Sequence, residues 1–148
     1  MKSVTCKCGE ICLEIENDPM MHFMCHCKDC HSLFNGPAKV LIYTDDDICI
    51  TGAHCTYSYQ GGSGNDLHVT FCKNCGTRVY TRPDLIDGLT YVFASMLAEH
   101  IEFQPKVEIF AYNRSKWEHK PASVVESYDH NGTLERIQEL LENLEQRG

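Results

Sequence analysis

The sequence predicts a mainly β domain built from short strands, and three observations carry that expectation. Apolar and polar residues alternate through EICLEIE (10–16), which puts Ile11, Leu13 and Ile15 on one face of an extended segment. β-Branched and aromatic residues dominate AKVLIY (38–43), the run around Ile48 to Ile50, CTYSY (55–59), LHVTF (67–71), TYVFAS (90–95) and VEIFAY (107–112). Turn signals punctuate these runs: Asp45-Asp46-Asp47, GGSGND (61–66) and Arg82-Pro83-Asp84. GGSGND lies between two strand candidates and reads as a mobile hairpin loop. The C-terminus breaks the pattern. After the capping group Asn131-Gly132-Thr133, Leu134, Ile137, Leu141 and Leu144 are spaced 3, 4 and 3 apart, which predicts an amphipathic helix over about 132–147. Such a helix packs on its own domain or forms a homodimer contact.

The length of 148 residues fits a single domain over 1–148, long enough to bury a core without disulfide staples. No run approaches the apolar length of a membrane span, so no membrane partner is expected. The opening MKSVTCKCGE lacks the apolar stretch of a signal peptide. The expected location is therefore the cytoplasm. The formal charge of −8 repels phosphate backbones, and no Lys/Arg cluster offsets it, so no nucleic-acid partner is expected. Lys28, Lys73, Arg78 and Arg82 lie in or just after the cysteine motifs. They could serve an anionic substrate, although a solvated surface role is the simpler reading of each.

Ten cysteines are many for such a chain. Disulfides need an oxidising compartment, and the C-x-C pairs Cys6/Cys8 and Cys25/Cys27 are poorly placed to bridge to each other. Metal binding is the better account. In an extended segment, residues i and i+2 point the same way, so Cys6 and Cys8 can converge on one ion. Cys72-x-x-Cys75-Gly76 has the spacing of a zinc knuckle. Together these four thiols make a closed, tetrahedral structural site that clips the start of the chain to its middle. Cys25, Cys27 and Cys30 form a second cluster, offered by one short stretch. Cys12, Cys49, Cys55, His22, His26, His31 and His68 are candidates for a fourth ligand, and none has persuasive spacing. Either the fourth place is open, as in a catalytic zinc site, or the cluster is a second closed site whose last ligand spacing does not reveal. Three thiolates make a soft centre suited to a substrate thiol.

The chain resembles the glutathione-dependent formaldehyde-activating enzyme family, which includes centromere protein V. The resemblance covers roughly residues 4–121. It rests on Cys6-Lys7-Cys8-Gly9, Cys25-His26-Cys27-Lys28-Asp29-Cys30, Gly36, Thr51-Gly52, Phe71-Cys72-Lys73-Asn74-Cys75-Gly76-Thr77, Pro105 to Phe110 and Arg114-Ser115-Lys116-Trp117. It implies a zinc-stabilised β-tent of short, twisted antiparallel sheets, with two Zn²⁺ per chain. Cys6, Cys8, Cys72 and Cys75 would hold the structural zinc; Cys25, Cys27 and Cys30 would hold the catalytic one. It also implies carbon–sulfur lyase chemistry on a glutathione adduct such as S-hydroxymethylglutathione. One departure bears on substrate choice. The family often has a glycine five residues after the third cysteine; here Gly36 is six after Cys30, behind bulky Leu33 and Phe34. That loop should border the open site.

In this reading a thiol such as glutathione takes the fourth zinc position and is held as thiolate, where a free thiol is mostly protonated. A nearby acid or base moves the proton, and His26 and His31 are the nearest candidates. The main rival is a non-catalytic zinc module that binds protein partners. A metal-storage or metal-sensing role is a third reading, and it requires zinc that leaves easily.

Overall fold

The computed structural model describes residues 1–62 and 64–130. The helix expected over about 132–147 lies outside the described residues. The strands are β1 (Lys2–Thr5), β2 (Cys12–Ile15), β3 (Met21–Cys25), β4 (Ala38–Thr44), β5 (Ile48–Thr51), β6 (His54–Gln60), β7 (Asp66–Cys72), β8 (Arg78–Pro83), β9 (Leu89–Phe93), β10 (Val107–Ile109) and β11 (Glu126–Ser127). One short helix, α1 (Lys28–Phe34), follows β3.

The alternating segment becomes the middle strand of a three-stranded antiparallel sheet, ordered β1-β2-β5. Ile11, Leu13 and Ile15 are fully buried, as their spacing predicts. The remaining strands form an eight-stranded sheet, ordered β11-β10-β3-β4-β9-β8-β7-β6. This sheet is mixed, which corrects the expectation of antiparallel sheets throughout: β10 runs parallel to both β3 and β11. The chain leaves β9, crosses past β4 and β3, and returns alongside β3 in the same direction.

The central strand β4 shows how the two sheets share one core. Leu41 and Tyr43 face one way and pack with Leu13, Ile15 and Val92 beneath the small sheet. Val40 and Ile42 face the other way and pack with Phe23, Val69 and Phe93. A strand covered on both faces reads as a continuous apolar run, which is how KVLIY reads. The second face is covered by α1 and loops rather than by another sheet. There the site forms.

Several boundaries differ from expectation. The strands β1, β3 and β8 were not signalled by alternation. MHFMC (21–25) has consecutive buried residues and leads straight into the cysteine loop, so its strand character is masked. β8 runs on to Pro83, at a strand end, where the missing N–H breaks little of the ladder. VEIFAY stops being a strand at Ile109, because Phe110 takes a left-handed conformation with φ 55°. The GGSGND segment is the β6–β7 hairpin turn, as expected from its composition. Gly52, just after β5, has φ 101°, and a Cβ there would stand 1.9 Å from the Glu10 carbonyl oxygen. The Thr51-Gly52 pair therefore marks a backbone crossing that admits only glycine.

Candidate functional site

Two thiol clusters form, on opposite sides of the large sheet. In the first, Cys6, Cys8, Cys72 and Cys75 bring their sulfurs within 4.8 Å of one another. Cys6 and Cys72 are buried at the edge of the core beneath the small sheet. Two tight turns deliver the thiols. In one, the Gly9 N–H donates to the Cys6 carbonyl (3.1 Å); in the other, the Gly76 N–H donates to the Cys72 carbonyl (3.0 Å). Gly76 has φ 77°, the left-handed turn behind the second thiol of C-x-x-C-G. Backbone amides point at the sulfurs: the Ile11 N–H at Cys6 Sγ (3.3 Å) and the Cys75 N–H at Cys72 Sγ (3.4 Å). Cys75 is held down to about 5, first by the Thr77 hydroxyl and then by backbone N–H groups. Sulfur separations of 3.6 Å (Cys6–Cys8) and 3.7 Å (Cys8–Cys72) match the edge of about 3.8 Å in a tetrahedron of Zn–S bonds of about 2.3 Å. The geometry and the four soft donors fit a metal ion such as zinc.

The second cluster sits where β3 hands over to α1. Cys25 ends the strand, Cys27 caps the helix, and Cys30 lies one turn in. Their sulfurs also lie within 4.8 Å of one another, with Cys27 and Cys30 at 3.1 Å. That pair is closer than the tetrahedral edge of about 3.8 Å, so these thiols would have to part slightly to hold a metal. Cys27 ionises first: the Cys25 thiol, the Cys30 thiol and backbone N–H groups hold it down to about 3. Cys25 is pushed up to about 12, chiefly by Cys27, and Cys30 is raised by Cys25 and then Cys27. Among the described residues, no fourth metal-ligating side chain joins these three. Cys12 contacts Ser3, His22 stacks on Phe103, and His68 binds Ser58 and Asp84, while Cys49 is exposed and Cys55 half-buried.

A cavity of about 110 Å³ opens from this cluster. Cys25, Cys27 and Cys30 form one wall, and Phe23, Phe34, Tyr59, Tyr91, Phe93 and Phe110 supply its aromatic lining. Tyr59 and Tyr91 were missed in the sequence, where they read as ordinary strand aromatics. Burial, reinforced by the nearby thiols, pushes both phenols above their ordinary range. They stay protonated and can donate. Their one signal was alternation: Tyr59 and Tyr91 fall on the strand face that Phe93 also occupies.

His26 and His31 do not line this cavity. His26 points to the other side of the loop, 1 % exposed, with Nε2 3.0 Å from the fully buried Glu108 carboxylate. Glu108 also accepts from Arg114 and from the Ser127 hydroxyl (2.8 Å). His26 Nδ1 has no hydrogen-bond partner among the described residues and lies 3.6 Å from a Glu118 oxygen. His31 Nδ1 sits 3.1 Å from the Cys27 carbonyl oxygen, and His26, His31 and Glu118 form a third close group of potential ligands. The expected cations are elsewhere too. Arg78 lies over the Phe34 ring at 5.9 Å, and Arg82 stacks over Tyr80 at 4.7 Å, and neither lines the cavity.

Residues 1–113 match the family model of the glutathione-dependent formaldehyde-activating enzymes. The chain belongs to that family. A crystal structure of a Rhodobacter sphaeroides protein, from a structural-genomics programme, is similar to this member with a TM-score of 0.53. At 23 % identity, over 68 % of this chain and 91 % of that one, the likeness is one of fold. No curated protein matches the chain. The model match takes in both cysteine clusters of this family member and ends before Arg114, so the buried Arg114–Glu108 contact straddles its boundary. No helix among the described residues is long and apolar enough to cross a membrane.

Proposed function

We propose that this family member is a zinc-dependent carbon–sulfur lyase-like enzyme. It makes or breaks the adduct of a thiol such as glutathione with an aldehyde, S-hydroxymethylglutathione being the simplest case. The observation that carries this reading is a three-thiol cluster open to an apolar cavity, beside a separate four-thiol cluster. We assign a structural zinc to Cys6, Cys8, Cys72 and Cys75, and a catalytic zinc to Cys25, Cys27 and Cys30. We read the two-sheet arrangement as a β-tent in one cytoplasmic domain, where the ten thiols stay reduced.

Zinc, when bound at the second cluster, supplies a cation that favours substrate sulfur as thiolate near neutral pH. The chain's own residues do the rest. Phe23, Phe34 and Phe93 exclude water from the carbon–sulfur bond. Tyr59 and Tyr91 donate hydrogen bonds to the adduct's hydroxyl oxygen. In cleavage the C–S electron pair stays on sulfur, the hydroxyl oxygen becomes the carbonyl, and its proton leaves to solvent. His26, tied to Glu108 behind the loop, positions Cys25 and Cys27 rather than moving that proton. An apolar cavity ending on three thiols supports the enzyme reading over a non-catalytic zinc module.

Elemental analysis of tag-free reduced protein should give about two zincs per chain, falling to about one in Cys27→Ser. Exchange NMR on glutathione and formaldehyde should show line broadening with wild type that the variant lacks. One zinc in both proteins, or equal exchange, would overturn the assignment.

A further inference from the structure

The cavity at the second cluster has a composition and size that constrain what its ligand carries. Among the described residues no Lys, Arg or His lines it, and apart from the thiols the one acidic side chain is Asp66. A glutathione carboxylate drawn inside would be buried without a counter-charge, which is strongly unfavourable. The volume of about 110 Å³ is below the roughly 150 Å³ of an apolar cavity that holds benzene, so it takes a group of several carbons, and a ring seated here extends into the cavity mouth. A hydroxymethyl group, with one carbon, would leave most of that space to water against aromatic walls.

The walls are fixed to the thiols. Phe34 ends the same helix that carries Cys30, and its ring packs on Phe93 at 4.8 Å. Asn35, at φ 59°, stops the helix there and turns the chain away. On the opposite side, Gly62 of the β6–β7 turn lies against the Phe110 ring, where an added Cβ would come within 2.9 Å. Phe110 keeps a left-handed φ of 55° while its N–H donates to the His130 carbonyl (3.0 Å). A bulky residue in that conformation is costly and calls for a compensating role. Here the Phe110 ring lines the cavity.

We propose that the carbon bonded to the substrate's sulfur carries an apolar, ring-sized group. The preferred adduct is the thiohemiacetal of a small aromatic or branched-alkyl aldehyde, not that of formaldehyde. This rests on the reading that the three thiolates hold a metal that takes the substrate's sulfur. The step is redox-neutral. A sulfur lone pair forms the C–S bond, the carbonyl π pair moves to oxygen, and oxygen takes up the proton the thiol gave up; cleavage is the reverse. The phenols of Tyr59 and Tyr91 meet that oxygen, and Phe34 and Phe93 meet the ring.

The test is a titration of the Co²⁺-loaded full chain with benzyl mercaptan, glutathione and 2-mercaptoethanol, followed by the cobalt absorption bands. Benzyl mercaptan repeats the S–C–ring skeleton of the proposed adduct. It should bind at least tenfold tighter than 2-mercaptoethanol, since each methylene in a fitted apolar pocket discriminates about 10- to 200-fold. Phe34→Ala should erode that ratio severalfold at unchanged cobalt content. Equal binding of all three thiols, or an unchanged ratio in Phe34→Ala with cobalt retained, would overturn the proposal and leave the thiol-binding reading standing. Bands that no thiol moves would instead overturn the thiol-binding reading, and this proposal with it. Should Phe34→Ala fail to load cobalt, Phe93→Leu supplies the same comparison from a strand.

Discussion

His22 shows how one side chain sets a pH dependence. It stacks on Phe103 with centroids 5.7 Å apart, and its Nδ1 accepts the Gln104 N–H at 2.9 Å. Burial, and then the charge of Lys106, hold it below the ordinary imidazole range. Acceptance at Nδ1 requires the neutral ring. The unfolded chain takes up the proton first as pH falls through about 6.5, so stability is lost from there down to the lower folded-state value. Denaturant titrations at pH 7.5 and 5.5 should show a smaller loss for His22→Phe than for wild type. Glu108 matters through its partners: it is 0 % exposed and held by Arg114, His26 and Ser127. Glu108→Ala leaves Arg114 without its partner and should cost about 3–5 kcal/mol in urea unfolding. None of these partners was legible in the sequence. They join residues 26, 108, 114 and 127, and spacing carries no information across such distances. The cysteine partition was legible, because each turn that delivers two thiols is local.

The elements were legible in proportion to their regularity. β2, β4, β6 and β7 stand where alternation and β-branched runs place them. α1 was not expected, because its seven residues carry one of the cluster's thiols, follow another at the N-cap, and show almost no helical period. The β5 exit at Gly52 makes a prediction at this scale. Gly52→Ala drives a Cβ into the Glu10 carbonyl, in the segment that connects Cys8 to β2. It should destabilise by at least ~2 kcal/mol. It should also lower the chelator concentration at which the first metal leaves. A wild-type chelator profile would mean that the Glu10 segment adjusts without disturbing Cys6 and Cys8.

For the molecule as a whole, the first cluster joins two sheets. Cys6 and Cys8 lie between β1 and β2, whereas Cys72 ends β7 and Cys75 lies in the turn to β8. Where metal binding and folding are coupled, the binding energy is folding energy. Cys75→Ser should therefore unfold or strongly destabilise the chain, while Cys27→Ser loses its metal and keeps its fold. Thermal melts of the two variants against wild type decide this, and equal melting losses would mean that both clusters are structural. The topology that makes the sheet mixed was not readable, because the crossover to β10 is a chain of loops with no period of its own. The same topology separates the two halves of the site genetically. All three thiols of the second cluster come from six consecutive residues, whereas the cavity walls come from β3, β4, β6, β7, β8, β9 and β10. A point mutation in any one of those strands can reshape the cavity and leave every thiol in place. Descendants of such a chain can change the compounds that fit the cavity one wall at a time, without passing through a form that has lost its thiol cluster.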